Sequence, residues 1–313
     1  MGKHHADHIH NTQGLELKGV FDIDPVRREA AKAEQPMVTV FDKYEDMLGD
    51  DEIELVVLIT PHDSHRPLSV MASKAGKHVI TEKVMCLSVA EADEMIETAE
   101  KAGKMLTVYQ NRRWDGDYLT VKKVMGSGVL GRVFSIESSV NGFWAPPGWR
   151  AIKAHGGGML YDWGAHLIDQ LIQLNLGTPK TVFAQMHYGG QPVDTETHAT
   201  VSVNFEGGVF AQIDVGCVSH ITRPRWLIRG EKGAFIMPDW ENARIKYLSG
   251  EETIEEDVKV EHSQWDAFYE NVSKHLNEGA ELEVKPRDVR KAIAVIESAF
   301  RSAELNQSVE CTL

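Results

Sequence analysis

In Glu54-Leu55-Val56-Val57-Leu58-Ile59-Thr60-Pro61-His62-Asp63-Ser64-His65, a near-continuous apolar run breaks off at a proline and a polar turn. A strand needs apolar and polar residues to alternate only where one face meets water, so an unbroken run predicts a parallel strand buried on both faces. Ser64 stands where it would cap the helix that follows. The same alternation extends outward in both directions. Residues 15–21 and 38–40 read as β-rich runs, with a helix over 27–33 between them. Residues 77–80 and 105–109 read as further strands, separated by a helix over about 88–102. Short strands alternating with helices predict an α/β fold with a parallel sheet and crossover helices.

Beyond Tyr109 the pattern changes. A helix is expected over about 118–125, followed by long alternating runs at 133–140, 181–187, 198–205, 209–218 and 226–229. Such runs predict a mixed or antiparallel sheet. Two helical patterns close the chain, at about 264–276 and 286–304, the second opened by Pro286 at a first-turn position. Two domains are therefore expected, residues 1–112 and 113–313. No flexible linker lies near Asn111-Arg112-Arg113, which points to a packed cleft between them.

The first βα unit of a dinucleotide-binding domain has a G-x-G-x-x-G turn, with an acidic residue about 20 positions further on. Here Met1-Gly2 leads straight into the first helix, and Asp22 stands at the expected distance if Gly2 is the third glycine. The sequence thus opens inside the fingerprint, and a strand with the first glycines is expected in the codons upstream of Met1.

A hydrophobic content of 42% and a charged content of 26% are ordinary for a soluble globular protein. The formal net charge of -14 at pH 7 repels phosphate backbones, and no basic stripe offsets it, so nucleic acid is not an expected partner. Cys86, Cys217 and Cys311 form no CxxC spacing, which points to a reducing, cytoplasmic location without disulfides. No run approaches the roughly 18 apolar residues of a membrane span, and the histidine-rich residues 4–10 do not resemble a secretory signal, so none is expected. His4, His5, Asp7, His8 and His10 lie around several faces of a helix, so no metal site is expected among them.

The chemistry concentrates in Gly156-Gly157-Gly158-Met159-Leu160-Tyr161-Asp162-Trp163-Gly164-Ala165-His166. Three glycines admit close approach of a backbone or a ligand, and the helix after them puts Asp162 and His166 at i and i+4, on one face. An acid there could hold the imidazole and set its tautomer, and a ring that ordinarily titrates at about pH 6.5 could accept a hydroxyl proton.

This segment, with Thr60-Pro61 and His65, Thr81-Glu82-Lys83-Val84, Asn111-Arg112-Arg113-Trp114-Asp115 and Gly148-Trp149-Arg150, resembles the glucose-fructose oxidoreductase / inositol dehydrogenase (Gfo/Idh/MocA) family. The motifs span nearly the whole chain in order. The resemblance implies an NAD(P)-dependent oxidoreductase acting on a sugar or cyclic polyol. It also implies an N-terminal Rossmann domain and a C-terminal α+β domain, whose large, open, mostly antiparallel sheet makes a homodimer or homotetramer.

Carried onto this chain, the family's catalytic residues fall on Lys83, Asp162 and His166. His166 becomes the proton acceptor, Lys83 an electrostatic partner and relay, and Asp162 the group that orients substrate or imidazole. Cofactor contacts fall on Gly2, Asp22, Thr60, Pro61, His65, Glu82 and Lys83, with Trp149 and Arg150 reaching across from the second domain. Asp22 favours NAD because a carboxylate accepts from a ribose hydroxyl and repels a 2′-phosphate; Arg27 and Arg28 keep NADP open. Substrate contacts fall on Lys83, Asn111, Arg113, Trp144, Asp162 and His166. The segment from Asn111 to Tyr118 is similar to that of scyllo-inositol dehydrogenases, which leans the substrate towards a cyclic polyol.

One departure stands out. Val84 replaces the family's proline, and a cis bond to a non-proline residue is disfavoured by about 2.5–4 kcal/mol, so a trans Lys83–Val84 bond and a displaced Lys83 amine are expected. Two other readings follow: a cofactor-holding homologue without turnover, and a glycosidase that uses NAD for transient oxidation.

Overall fold

The computed structural model describes residues 1–313. The N-terminal lobe runs α1 (Gly2–Asn11), β1 (Gly19–Val20), α2 (Pro25–Glu34), β2 (Thr39–Val40), α3 (Tyr44–Leu48), β3 (Leu55–Leu58), α4 (His65–Lys74), β4 (His78–Thr81), α5 (Val89–Ala102) and β5 (Leu106–Val108). All its strand pairs are parallel, β1 with β2, β3 with β4 and β4 with β5. The strands form two sheets rather than one, β1-β2 and β3-β4-β5. The expected strand over 15–21 contracts to two residues because β1 has a partner on one side only, and neither of its residues is buried.

β4 and β5 are covered on both sides, but β3, at the edge of its sheet, buries one face only and leaves Leu55 and Val57 half-buried, contrary to the expected strand buried on both faces. Val79, Ile80 and Val108 are fully buried, and Val56 and Leu58 nearly so, each contributing about 1.5–3 kcal/mol by leaving water. α5 begins where the Ser88 hydroxyl accepts the Glu91 N–H and stops at Gly103, whose φ of 65° suits glycine. Ser64 does not cap α4: its hydroxyl turns back to Thr60 Oγ1 and the Pro61 carbonyl, both at 2.6 Å.

The second lobe continues with α6 (Gly116–Gly126), β6 (Val133–Asn141), a π-helical turn at Leu160–Gly164, α7 (Ala165–Gln173), β7 (Pro179–His187), β8 (His198–Phe205), β9 (Phe210–Gly216), β10 (Trp226–Gly230), β11 (Gly233–Met237), β12 (Arg244–Ser249), β13 (Glu252–Asp257), α8 (Ala267–Glu278), α9 (Pro286–Leu305) and β14 (Val309–Glu310). Its nine strands form one sheet in the order β13-β12-β11-β10-β6-β9-β8-β7-β14, antiparallel except where β6 meets β9. β12 and β13 carry no apolar period, because that hairpin lies almost wholly in solvent. α9 buries Val289, Ala292, Ile293, Ile296 and Ala299 at helical spacing. That stripe packs on β7, α7 and α5, so one helix ties the large sheet to the N-terminal lobe.

Candidate active site

Three segments converge. The first is the end of β4, where Glu82, Lys83 and Val84 leave the sheet. Glu82 is buried, and its carboxylate accepts from the Lys83 backbone N–H and pairs with the His5 ring at 2.9 Å. Burial would raise its pKa, but these two bonds and the Lys83 charge hold it below the ordinary value. The Lys83–Val84 bond is cis, contrary to the expected trans bond. The surroundings fix both carbonyls: the His62 ring lies at 3.0 Å from that of Lys83, the His65 ring at 2.8 Å from that of Val84, and Val84 is 1% exposed. The Lys83 amine is not displaced. Nζ donates to Asp162 Oδ1 at 2.5 Å and to the Asp162 carbonyl at 2.7 Å.

The second segment is the glycine run. Gly158, at φ 109°, faces Glu196 so closely that a Cβ would come within 2.3 Å of its carboxylate, so any side chain here is strained and must displace Glu196. Glu196 in turn accepts the Leu160 N–H at 2.9 Å, holding the start of the π turn. Burial pushes the Glu196 carboxyl up to about 7, against the lowering effect of that bond. The His62 ring spans the lobes, with Nδ1 2.8 Å from the Gly156 carbonyl. Burial, with the His65 and Lys83 charges, pushes it down to about 3, and a neutral ring donates to only one of its two carbonyls at a time.

Asp162 and His166 come to the same place but do not bond each other. Asp162 is engaged by Lys83 and, at 3.4 Å, by Arg150 Nε. Burial opposes its ionisation, yet the charge and hydrogen bond of Lys83, and then the charge of Arg150, hold its pKa below the ordinary value. The expected i, i+4 couple does not form, because the Asp162 carboxylate is taken by Lys83 and Arg150 while His166 Nδ1 turns to Gln110. His166 Nδ1 lies 3.2 Å from Gln110 Oε1, an acceptor, so Nδ1 bears the proton and Nε2 is left as the acceptor nitrogen. Burial first, then the positive charges of Lys83, Arg112 and Arg225, drive the imidazole pKa well below 6.5. The ring is therefore neutral.

The third segment is the short 3-10 turn Asn111–Trp114. Arg113 is not at the cleft, as expected for a substrate contact, but buried and held bidentate by Asp169 at 2.7 Å. Its neighbour Arg112 faces the cleft instead, with its guanidinium 4.3 Å over the Trp163 ring. A cavity of about 560 Å³ opens there, lined by Arg112, Val140, Trp144, Trp163 and Trp240. Asn111 is half-buried beside it in the chain.

Of the expected cofactor residues, Thr60 and Pro61 follow β3, and Asp22 lies just past β1, its carboxylate accepting the Asp24 N–H. Gly2 opens α1, which has no side-chain cap. Trp149 packs its ring against His62 at 4.5 Å. His65 has no atom left for a ligand: its second nitrogen lies at 3.0 Å from the Thr60 carbonyl, and it is fully buried. The N-terminal histidines go to separate partners, His4 to Tyr109, His5 to Glu82 and Tyr269, His8 to Asp266 and His10 to Gln35. Sequence reasoning does not single out Gln110, Glu196, Arg112 or Trp240. Gln110 carries a usable signal, its place at the carboxyl end of β5, whereas Glu196 and Trp240 lie in segments with no pattern of their own.

With this geometry in place, the relatives are informative. Residues 1–110 match an oxidoreductase family with an NAD-binding Rossmann fold, and residues 118–236 match the GFO/IDH/MocA C-terminal domain. The chain is 30% identical to the uncharacterized oxidoreductase YdgJ of Escherichia coli, over 96% of this chain and 92% of that protein. It is 27% identical to the scyllo-inositol 2-dehydrogenase (NADP(+)) IolW of Bacillus subtilis, over 90% of this chain and 86% of that one. A crystal structure of an NAD-binding protein from Listeria innocua superposes with a TM-score of 0.92 at 35% identity, covering 99% of this chain and 94% of that one.

Proposed function

The chain belongs to the Gfo/Idh/MocA family of NAD(P)-dependent oxidoreductases, and from that premise we propose that it interconverts a secondary alcohol of a neutral sugar or cyclic polyol with the ketone. The observation that carries this reading is the Lys83 ammonium, which reaches from the first lobe to Asp162 on the segment that also bears His166. A cation suits the oxygen on which negative charge develops, and a neutral imidazole suits the proton that leaves it. Because burial and nearby positive charges disfavour imidazolium, His166 Nε2 holds the proton only in passing. Asp162 keeps the lysine aimed, and Gln110 keeps the imidazole tautomer.

The cofactor, when bound, supplies hydride exchange at the carbinol carbon. The residues present fit it. The uncapped first turn of α1 leaves N–H groups for a pyrophosphate, with open space in front of Gly2. Asp22 suits a ribose hydroxyl and favours NAD. Arg28 is turned to the Asp22 and Ile23 carbonyls, and Arg27 is mostly exposed, within 3.6 Å of Asp22.

We place the domain division at residue 112 and the protein in the cytoplasm. The large sheet pairs copies of the chain into a homodimer or homotetramer, across the face where Thr200, Ser202 and Gln212 alternate with buried neighbours. No helix is long and apolar enough to cross a membrane.

A panel of sugars and cyclic polyols, offered with NAD and with NADP and followed by cofactor absorbance, tests the activity. Net reduction is expected, larger with NAD; no reduction with any secondary alcohol overturns the reading. Because the His166 pKa is depressed, oxidation should persist below pH 6.5, and a rate that halves near an ordinary histidine pKa would assign the base elsewhere.

A further inference from the structure

The wall of the cleft beyond the reacting centre is a ladder of flat groups. The Arg112 guanidinium lies 4.3 Å over Trp163, the Trp163 and Trp240 centroids are 6.2 Å apart at 53°, and Arg225 lies 4.5 Å from Trp240 and 4.7 Å from Trp226. Both arginines have their charge answered from behind, Arg112 by Asp115 at 2.7 Å and Arg225 by Asp117 at 2.9 Å. Arg225 also donates to Gln170 and is fully buried. The wall therefore offers indole faces and no unpaired cation. A substrate carboxylate or phosphate would meet no free charge here and would approach a chain of net charge -14.

The indoles are also arranged in tandem. Trp163 is next to Asp162 in the chain, and its ring lies 6.1 Å from that of His166, so a ring stacked on it is contiguous with the reacting carbon. Trp240 stands one indole further out, on the turn between β11 and β12, and Trp144 lines the same space. Aromatic faces bind the apolar C–H faces of ring compounds with little ordering entropy, and this groove, open to solvent, has a volume of about 560 Å³, within the roughly 300–1,000 Å³ range of small-molecule sites.

We infer that Trp240, with Trp144, forms a second subsite that takes an uncharged ring joined to the one being oxidised, so that the preferred substrate is a two-ring glycoside rather than a free monocycle. This rests on the proposed oxidoreductase activity and extends it to substrate size and charge.

Tryptophan fluorescence and calorimetric titrations of the cofactor-loaded protein test it without turnover, using glucose, cellobiose, maltose, myo-inositol and its galactosyl derivative galactinol, with glucose 6-phosphate as the anionic probe. At least one two-ring probe should bind about tenfold tighter than its own monocycle. Trp240→Ala should bring that ratio close to one, while Trp240→Phe, which keeps an aromatic face, retains most of it. Equal binding of all two-ring and one-ring probes overturns the inference. So does tighter binding of the phosphate, or a Trp240→Ala protein that weakens both classes alike. Monocycle turnover without two-ring preference would sink the subsite and leave the oxidoreductase reading standing; two-ring binding without cofactor reduction would do the reverse.

Discussion

The two halves of the N-terminal lobe are built to different standards. Across β4 and β5 the strands are closed over, with Val79, Ile80 and Val108 fully buried, and the chain leaves β4 to place Lys83 against Asp162. From β1 to β2 the sheet has two residues per strand, α2 buries none of its side chains, and Ile23, Val26 and Met37 are 86%, 74% and 94% exposed. Fully buried apolar side chains hold the first region, while the second rests on partly buried ones such as Phe21 and Phe41. Segments with little burial open most easily and gain most from whatever binds them. The proposed reacting centre is thus preorganised, whereas the region that carries Asp22 has little buried contact of its own.

The sharpest way to break this contrast is Lys83→Met, which keeps the stem and removes the charge. An electrostatic group aimed at a developing oxyanion contributes about 10²–10³ in kcat, so kcat should fall about a thousandfold, with cofactor affinity by fluorescence titration little changed. Asp162 would then lie buried without its main partner, so a drop in melting temperature should accompany the loss. A variant that stays folded and loses only a small part of kcat would show that the preorganised end does not carry the chemistry.

A smaller, opposite pattern is expected at the loose end. Asp22→Ala removes the acceptor proposed for the ribose, and a hydrogen bond to a charged group contributes about 1.5–3 kcal/mol, or roughly ten- to a hundredfold. The NAD dissociation constant should rise by that factor, NADP should gain relative to NAD, and kcat at saturating cofactor should hold. Equal weakening of both cofactors would mean that Asp22 acts through the fold of β1 rather than through the ribose.

How much of this is legible in the sequence follows the same division. The unbroken run at Leu55–Leu58 and the capped, glycine-stopped Val89–Ala102 show their fold because burial and capping leave period and composition behind. Val84 misleads about its own peptide bond, since the histidine rings that hold the flanking carbonyls come from His62 and His65, some twenty residues away in the chain. Arg112 and Arg113 are adjacent and identical in chemistry, yet the 3-10 turn, at three residues per turn, sends one to the cleft and the other to Asp169. A helical period assigns Asp162 and His166 to one face, but their partners, Lys83 and Arg150 for the one and Gln110 for the other, come from distant segments and keep them from pairing. Short turns, and partners such as Glu196 that arrive from a distant loop, leave no periodic trace.

Glu196 gives the smallest effect and the one most specific to the preorganised side. Its folded pKa is raised to about 7, whereas an unfolded glutamate titrates near 4.5. Below about pH 4.5 both states hold the proton, and the folded state is not penalised. Between about 4.5 and 7 the unfolded chain releases it while the folded chain keeps it, so stability falls as pH rises. Above about 7 the buried carboxylate is ionised and the loss is complete. A shift of this size corresponds to about 3 kcal/mol, which for a chain of this length is a few degrees in melting temperature. Glu196→Gln keeps an oxygen for the Leu160 N–H and never ionises. Its melting temperature should therefore match the wild type near pH 5, exceed it by a few degrees at pH 8, and vary less between the two. If the two proteins instead run parallel across that range, the carboxyl titrates as it would in water, and the turn that carries Asp162 is less closed than its hydrogen bonds imply.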